Sequence, residues 1–395
     1  MINRNLIVVA GHERLDTVIR AERCALLATL FMVALASAVQ AQTFDQAIQD
    51  ALSATPGVND GRACQPGTPA PNLADICNGP NLVGAASSGS TTALSTESQG
   101  IEERKVGRLI GPVNLFISAD YERFDKNVTT FEPGHKTNTG RVALGADYSF
   151  SDRFLAGGTF KYGRDNGRFD AGGNFKTDSY GLQLYGNFVP AANSFVNVSA
   201  GYTHFNNSIS RVASITRANT ATRILGAAEG DTDANAFNVG VTGGYDFRLQ
   251  SVTVGPRFGL RYKRTETDGY RERGSTGLEL IYDAQTTKSL TSVLGLYGSK
   301  AISTSFGVLV PQATLEYVHE FEDAQRNINF RFVDNPAAGS FRFQNDPPDR
   351  NYFNLGLGIA AVWPHGISGF LNYRAMIGYK DQKSDTVTVG VRIEF

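Results

Sequence analysis

The sequence predicts an all-β transmembrane barrel of about twelve antiparallel strands, with short periplasmic turns and long extracellular loops. Three observations predict it. From Pro112 to the last residue, apolar and polar side chains alternate with period two, the spacing at which a strand sends successive side chains to opposite faces. The connections between these runs alternate between tight and mostly long, the asymmetry of an outer-membrane barrel. Aromatic residues gather near strand ends on the apolar face, where a bilayer meets water.

Composition agrees. The chain has 395 residues and a net charge of -1, so no basic surface argues for nucleic acid. Mean hydropathy is only -0.21. A membrane barrel produces such a value because each lipid-facing residue alternates with a lumen-facing one.

The one long apolar stretch is Cys24 to Ala38. Arg20 and Arg23 precede it, and Val39-Gln40-Ala41 follows as a small-residue cleavage pattern. Residues 1–41 read as a signal peptide cut before Gln42, with an extra extension over residues 1–19. The apolar core is too short for a membrane helix. Cleavage removes Cys24 and leaves Cys64 and Cys77, an even pair in an oxidising compartment, so a disulfide between them is expected. Two thiols without a His or Asp cluster do not complete a tetrahedral metal site, and no cofactor is expected.

Phe44, Ile48 and Leu52 suggest one short helix that Pro56 and Gly57 end. Residues 42–92 therefore form a short N-terminal segment, loop-like from Asn59 to Gly89. Residues 93–110 carry Glu102, Glu103, Arg104, Lys105 and Arg108 without a clean apolar stripe. They read either as a helix in a water-filled lumen or as a solvated linker. The barrel is expected over residues 111–395.

The strands follow in order. The first sets Val113, Leu115, Ile117, Ala119 and Tyr121 against Asn114, Ser118, Asp120 and Glu122. The second sets Val142, Leu144, Ala146, Tyr148 and Phe150 against Arg141, Gly145 and Asp147. Phe154, Phe160 and Tyr162 mark the third, Tyr180, Leu182, Leu184 and Phe188 the fourth, and Val196, Val198 and Tyr202 the fifth. Phe237, Val239, Val241 and Tyr245 mark the sixth, and Phe258, Leu260 and Tyr262 the seventh. The eighth (about 287–301) and ninth (about 305–321) alternate less cleanly. Phe353, Leu355, Leu357 and Ile359 mark the tenth, and Leu371, Tyr373 and Ile377 the eleventh. In the twelfth, Val387, Val389, Val391, Ile393 and Phe395 face Thr386, Thr388, Gly390, Arg392 and Glu394. Long loops are expected over 124–138, 164–176, 207–233, 266–285 and 322–350, with a shorter one near Asp381. Pro256 and Pro311 fall inside strands, where bulges are expected to accommodate them.

Charged residues recur on the polar faces. Arg141, Arg257, Arg261, Arg374 and Arg392 are expected to face the lumen. There they either select anions in an open pore or pair with lumen Asp and Glu, or with Glu102 and Glu103. No catalytic site is expected. His204 and His319 near outer strand ends, and His135 in a loop, admit a hydrolase at the rim, but no Gly-x-Ser-x-Gly elbow is present.

The run Asn351–Ala360, then Gly369–Tyr373, then Val387–Phe395 resembles the C-terminal barrel of autotransporters (type V secretion). Gly307–Phe321, with Val310-Pro311-Gln312-Ala313 and Tyr317-Val318-His319-Glu320-Phe321, resembles it too. The resemblance covers about 105–395. It implies an outer-membrane translocator that anchors, exports or displays the short N-terminal segment, with 93–110 threading the lumen. It implies a Gram-negative outer membrane, lipid around the barrel, and a monomer. It also implies that periplasmic chaperones and the barrel-assembly machinery read a C-terminal signal of Val389, Val391, Ile393 and Phe395. Two features depart from the family. The N-terminal segment is short and lacks repeats, and no Asn-Asn pair lies between Pro80 and Gly111, so self-cleavage is not expected. A stand-alone outer-membrane pore or surface-loop adhesin barrel is the alternative.

Overall fold

The computed structural model describes residues 112–216, 223–250, 252–334 and 339–395. The expected signal peptide, the expected Cys64–Cys77 disulfide, the segment 42–92 and the segment 93–110 lie outside the described residues.

Twelve antiparallel strands form a closed barrel. They are β1 (Val113–Lys126), β2 (His135–Ser151), β3 (Phe154–Phe169), β4 (Gly173–Phe188), β5 (Ser194–Thr216) and β6 (Arg223–Tyr245). They continue as β7 (Val252–Thr267), β8 (Gln285–Lys300), β9 (Gly307–Glu320), β10 (Asn351–Val362), β11 (Ile367–Ile377) and β12 (Gln382–Glu394). Each pairs with its neighbour in sequence, and β12 closes on β1 from Asn114↔Glu394 to Lys126↔Gln382. Closure leaves no sheet edge unpaired, which a bilayer demands because lipid offers no hydrogen bonds.

The alternation sorts side chains as the lipid requires. On β1, Leu115, Ile117 and Tyr121 are exposed on the outer surface, while Asn114 and Glu122 are buried inside. The outward apolar run Val113–Tyr121 matches the roughly 9–11 residues a tilted strand needs to cross. Gly145 faces the lumen because the Phe116 ring lies across it; a Cβ there would stand 2.0 Å from the ring.

The outward run ends at a ring of tyrosines. In five outer hairpins the hydroxyl of a tyrosine on the first strand donates to an acid or amide on the second. The pairs are Tyr121–Asn138 (3.0 Å), Tyr162–Asp178 (2.9 Å), Tyr202–Asn235 (2.6 Å), Tyr317–Asn351 (2.6 Å) and Tyr373–Asp385 (2.6 Å). Amphipathic rings with a satisfied polar tip mark the boundary between lipid and water.

Several strands run past that boundary, farther than their apolar alternation. The β3–β4 ladder continues to Arg168↔Asn174, so residues 164–176 form a tight hairpin with Gly172 and Gly173 at φ 96° and 99°. The β5–β6 ladder continues through Arg211↔Ala228, so most of 207–233 is strand as well. His135 opens β2 instead of lying in a loop. Beyond the bilayer the outward face meets water and carries Arg164, Asn166 and Arg168, so the ladder persists while the apolar signal disappears. The connections β7–β8 and β9–β10 remain long, and they build a second sheet of four short strands. Its order is Phe341–Gln344, Asn327–Phe332, Leu280–Tyr282 and Tyr270–Arg271.

The prolines are accommodated without bulges. The β6–β7 ladder stops at Gly244↔Arg257 and resumes in the same register at Phe247↔Val254. Opposite Pro256, the Tyr245 carbonyl accepts a bond from Arg257 Nη1 at 3.3 Å. The β8–β9 ladder stops at Ser299↔Gln312 and resumes in register at Ile302↔Leu309, leaving out Pro311. Each proline, which lacks an N–H, thus falls where one ladder is briefly interrupted.

Candidate functional site

The site is the wall of the lumen and the structured collar above it. Strand alternation aims the polar member of each residue pair inward, and the charges meet across neighbouring strands. Arg141 on β2 reaches Asp120 at 2.7 Å and Glu122 at 2.5 Å, both on β1. Glu122 also accepts the Ser384 hydroxyl of β12 at 2.8 Å. Arg392 on β12 pairs with Asp147 on β2. Asp147 also takes bonds from Asn114 Nδ2 at 2.6 Å and the Tyr185 hydroxyl at 2.9 Å. Arg374 pairs with Glu316 across β9 to β11. Arg257 pairs with Asp246 at 2.7 Å and lies 4.7 Å from the centres of the Phe195 and Tyr297 rings, a cation–π arrangement. The structure thus brings four of the sequence-identified arginines against carboxylates. Such a wall is hydrophilic and largely neutral, since buried ions persist only when paired and hydrogen-bonded.

Arg261 joins Lys263 in the wall of a cavity of about 490 Å³ near the outer end. Glu122, Glu132, Tyr352 and Tyr379 line it too. Lys263 Nζ is buried there without a hydrogen-bond partner. At the outer mouth Lys126 Nζ binds Glu132 at 2.8 Å and Asp346 at 2.5 Å, and the Thr129 hydroxyl reaches Asp346 at 2.8 Å. Burial raises the Glu132 carboxyl above the usual range despite Lys126 beside it. These contacts tie the β1–β2 connection to the long β9–β10 connection.

Above the boundary the interior becomes apolar. His135 packs among Phe124, Phe169 and Phe175, with ring centres 5.6, 6.1 and 5.8 Å away. The four-stranded outer sheet has its own core of Leu278, Leu280, Tyr282, Ile328, Phe330 and Phe332, all buried. Arg211 at the top of β5 clamps it. Its Nε and Nη2 meet the two Glu272 oxygens at 2.9 and 2.5 Å, and Nη2 also donates to the Leu278 carbonyl at 2.9 Å. Glu272 in turn accepts the Leu280 N–H at 2.9 Å. Sequence reading missed this clamp and the Lys126–Glu132–Asp346 cluster. The partners lie 61 and 220 residues apart in the two cases, Arg211–Glu272 and Lys126–Asp346, so no local spacing announces them.

His204 and His319 stand on separate strands, facing outward. Their Nδ1 atoms lie 2.9 and 2.8 Å from the Asn235 and Asn351 side-chain oxygens. Among the described residues, no group of His, Cys, Asp and Glu is arranged to hold a metal ion. Val387, Val389, Val391 and Ile393 of β12 lie on the exposed outer surface, as does Phe395.

Comparison with known proteins places this architecture. The Autotransporter beta-domain family model matches residues 115–374. Outer membrane protein A of Rickettsia rickettsii is 24% identical over 275 residues, covering 66% of this chain but 12% of that protein. Esterase EstA of Pseudomonas aeruginosa is 25% identical over 174 residues, 42% of this chain and 26% of EstA. The chain therefore spans only a fraction of the length of these relatives. Among solved structures, the translocator domain of the autotransporter NalP from Neisseria meningitidis superposes with a TM-score of 0.59 at 20% identity. That match covers 77% of this chain and 98% of the NalP domain. The β-domain of the Bordetella autotransporter BrkA gives 0.52 at 18% identity, covering 72% of this chain and all (100%) of that domain. A closed twelve-stranded barrel, oily outside and charged within, matched by the family model across most of its strands, belongs to the autotransporter β-domain family and lies in the outer membrane of a Gram-negative bacterium.

Proposed function

We propose that this outer-membrane translocator barrel exposes its short N-terminal segment, residues 42–92, at the cell surface, with residues 93–110 lying in the lumen. The observation that carries the reading is where β1 begins. Val113 starts at the rim of the tight turns, beside Phe395, whose N–H bonds the Val113 carbonyl at 2.9 Å. A chain entering there reaches the outside only through the lumen, and the paired charges of Arg141, Arg374 and Arg392 give that lumen a wettable wall. Barrel-assembly machinery reading Val389, Val391, Ile393 and Phe395 on the lipid face, after delivery by periplasmic chaperones, belongs to the same proposal.

The test is an epitope inserted beside Cys64. Labelling of intact cells supports display. Labelling only after the outer membrane is opened overturns it.

The collar favours a second reading, a stand-alone surface adhesin or pore. Here the outer loops form a sheet with its own buried core, a rigid platform for contacts. Deleting 42–92 separates the readings, because an adhesin or pore keeps its adhesion or its bilayer conductance and a display barrel loses its cargo. Although one relative is named an esterase, we infer that this barrel itself carries no hydrolytic activity. His204 and His319 each bond an Asn and are set on different strands. Hydrolysis of a short-chain nitrophenyl ester that disappears in His204→Ala or His319→Ala would overturn that inference.

A further inference from the structure

The tyrosine ring has one exception. In five outer hairpins, the residue accepting the tyrosine hydroxyl is Asn138, Asp178, Asn235, Asn351 or Asp385. It sits directly across the ladder from the residue two beyond the tyrosine, as Asn138 faces Arg123 and Asn235 faces His204. In the β7–β8 hairpin the tyrosine is Tyr262, and the equivalent position is Lys288, which faces Arg264. An acceptor is replaced by a cation, and two like charges oppose each other at the lipid boundary. Like charges directly opposite in a ladder repel, and near hydrocarbon the repulsion is screened less than in water. Arg264 pairs with Glu266, one step farther from the bilayer on its own strand. Lys288 and the Tyr262 hydroxyl have no partner among the described residues. Both cations are exposed at outward positions of their strands, although the Lys288 position also borders the cavity near the outer end.

We propose that Tyr262, Arg264 and Lys288 form a binding site for a phosphate of an outer-leaflet lipid. The chemistry fits in three respects. A guanidinium presents a fork that matches phosphate oxygens, and an ammonium adds a mobile point charge. Long basic side chains at a membrane boundary extend their heads to the headgroup layer while their stems stay in the apolar zone. A phosphate between Arg264 and Lys288 turns their repulsion into shared attraction and gives the Tyr262 hydroxyl its acceptor. The other hairpins offer no such arrangement. Directly across the ladder Arg164 meets the carboxylate of Asp178 and Arg123 meets the neutral Asn138, so neither has a second cation opposite it.

The experiment is native mass spectrometry of the full chain purified in detergent. The probe is a diphosphorylated glucosamine-disaccharide lipid, compared with the same lipid stripped of phosphate. Retention of the phosphorylated lipid at least tenfold above the stripped one is expected. Lys288→Asn, which restores the pattern of the other hairpins, and Arg264→Ala should each lower retention to the stripped-lipid level. Arg123→Ala, at the same height on β1, should keep it. A heat-dependent gel shift of Lys288→Asn equal to that of the unaltered protein shows that it folds. Retention by Lys288→Asn equal to the unaltered protein, or equal loss in Arg123→Ala, overturns the site. Full displacement by millimolar inorganic phosphate also overturns it, since the ligand would then be a free anion and not a lipid.

Discussion

The bilayer belt and the collar above it are built from the same strands but obey opposite rules. Along β1 the outward positions run Val113, Leu115, Ile117, Ala119 and Tyr121, then Arg123 and Asp125, while the inward ones run Asn114, Phe116, Ser118, Asp120 and Glu122, then Phe124 and Lys126. Outside, polarity inverts within two residues of Tyr121; inside, Phe124 adds an aromatic ring beside the paired Lys126. On β3, Phe160 and Tyr162 give way outside to Arg164 and Arg168, while inside Thr159 and Lys161 of the belt are followed above Tyr162 by Asp165 and then Phe169. Below the ring of tyrosines the solvent outside is hydrocarbon, so charges are driven inside and must pair. Above it the solvent is water, and the collar buries aromatic and aliphatic clusters as a soluble domain does, with the charges it keeps inside held in pairs. A single ladder of backbone bonds carries both regimes, so strand formation does not depend on which face is oily.

The comparison is broken most strongly at Arg211. Its side chain is buried in the apolar collar yet charged, held by two bonds to Glu272 and one to Leu278. Removing one member of a buried pair leaves an uncompensated charge, a cost of about 3–5 kcal/mol. Arg211→Ala should therefore open the four-stranded sheet while the belt stays closed. Limited proteolysis of intact cells should cut between Thr267 and Gln285 in the variant and not in the unaltered protein, with unchanged heat-dependent gel mobility. Loss of the barrel itself would mean the collar and the belt are one cooperative unit.

The second prediction places one new charge in both regimes. Leu144 faces lipid and is 54% exposed on the outer surface. Leu144→Arg should cost about 2–4 kcal/mol near the midplane. Asn166→Arg, also outward but on the collar, should stay within about 0.5 kcal/mol. Urea unfolding in lipid vesicles measures both, and equal costs would erase the boundary drawn at the tyrosines.

These two positions also explain what was legible in the sequence. Leu144 sits in a run where lipid imposes period two on every outward residue, so the strand count, the pairing order and the belt could be read directly. Asn166 sits where water accepts anything polar, and the inward Phe169 and Phe175 look like isolated aromatics without their ladder. The collar strands therefore passed for loops, and His135, held by those rings, passed for a loop histidine. The lumen arginines were visible as inward positions, but their partners were not assigned by spacing: Arg141 meets β1 through the register of one hairpin, and Arg392 meets Asp147 of β2 only because the barrel closes. Pro256 and Pro311 suggested bulges because sequence shows the missing N–H and not the neighbouring ladder that happens to lapse there.

A third pair of variants separates charge from packing at the seam between the regimes. Lys126 holds both Glu132 and Asp346. Lys126→Ala should cost about 3 kcal/mol or somewhat more, because two carboxylates stay buried without it. Glu132→Gln should cost about 1 kcal/mol or less, since burial already raises that carboxyl and favours its neutral form. A carboxyl with a raised folded value binds its proton more tightly when folded, so the Lys126→Ala defect should shrink as pH falls through that value. A defect that stays constant or grows on acidification would show that the unpaired Glu132 carboxylate is not its cause.

The smallest effect expected lies on the boundary itself. The Tyr202 hydroxyl donates to Asn235 at 2.6 Å while its ring stays on the lipid face. Tyr202→Phe keeps the ring and removes only the hydrogen bond, a loss of about 0.5–1.5 kcal/mol. Asn235 then retains the His204 ring nitrogen, 2.9 Å away, so the value should fall at the lower end. The same change at Tyr121, whose acceptor Asn138 faces Arg123 and has no histidine beside it, should cost more. If Tyr202→Phe cost more than Tyr121→Phe, the histidine would not be sharing the Asn235 oxygen.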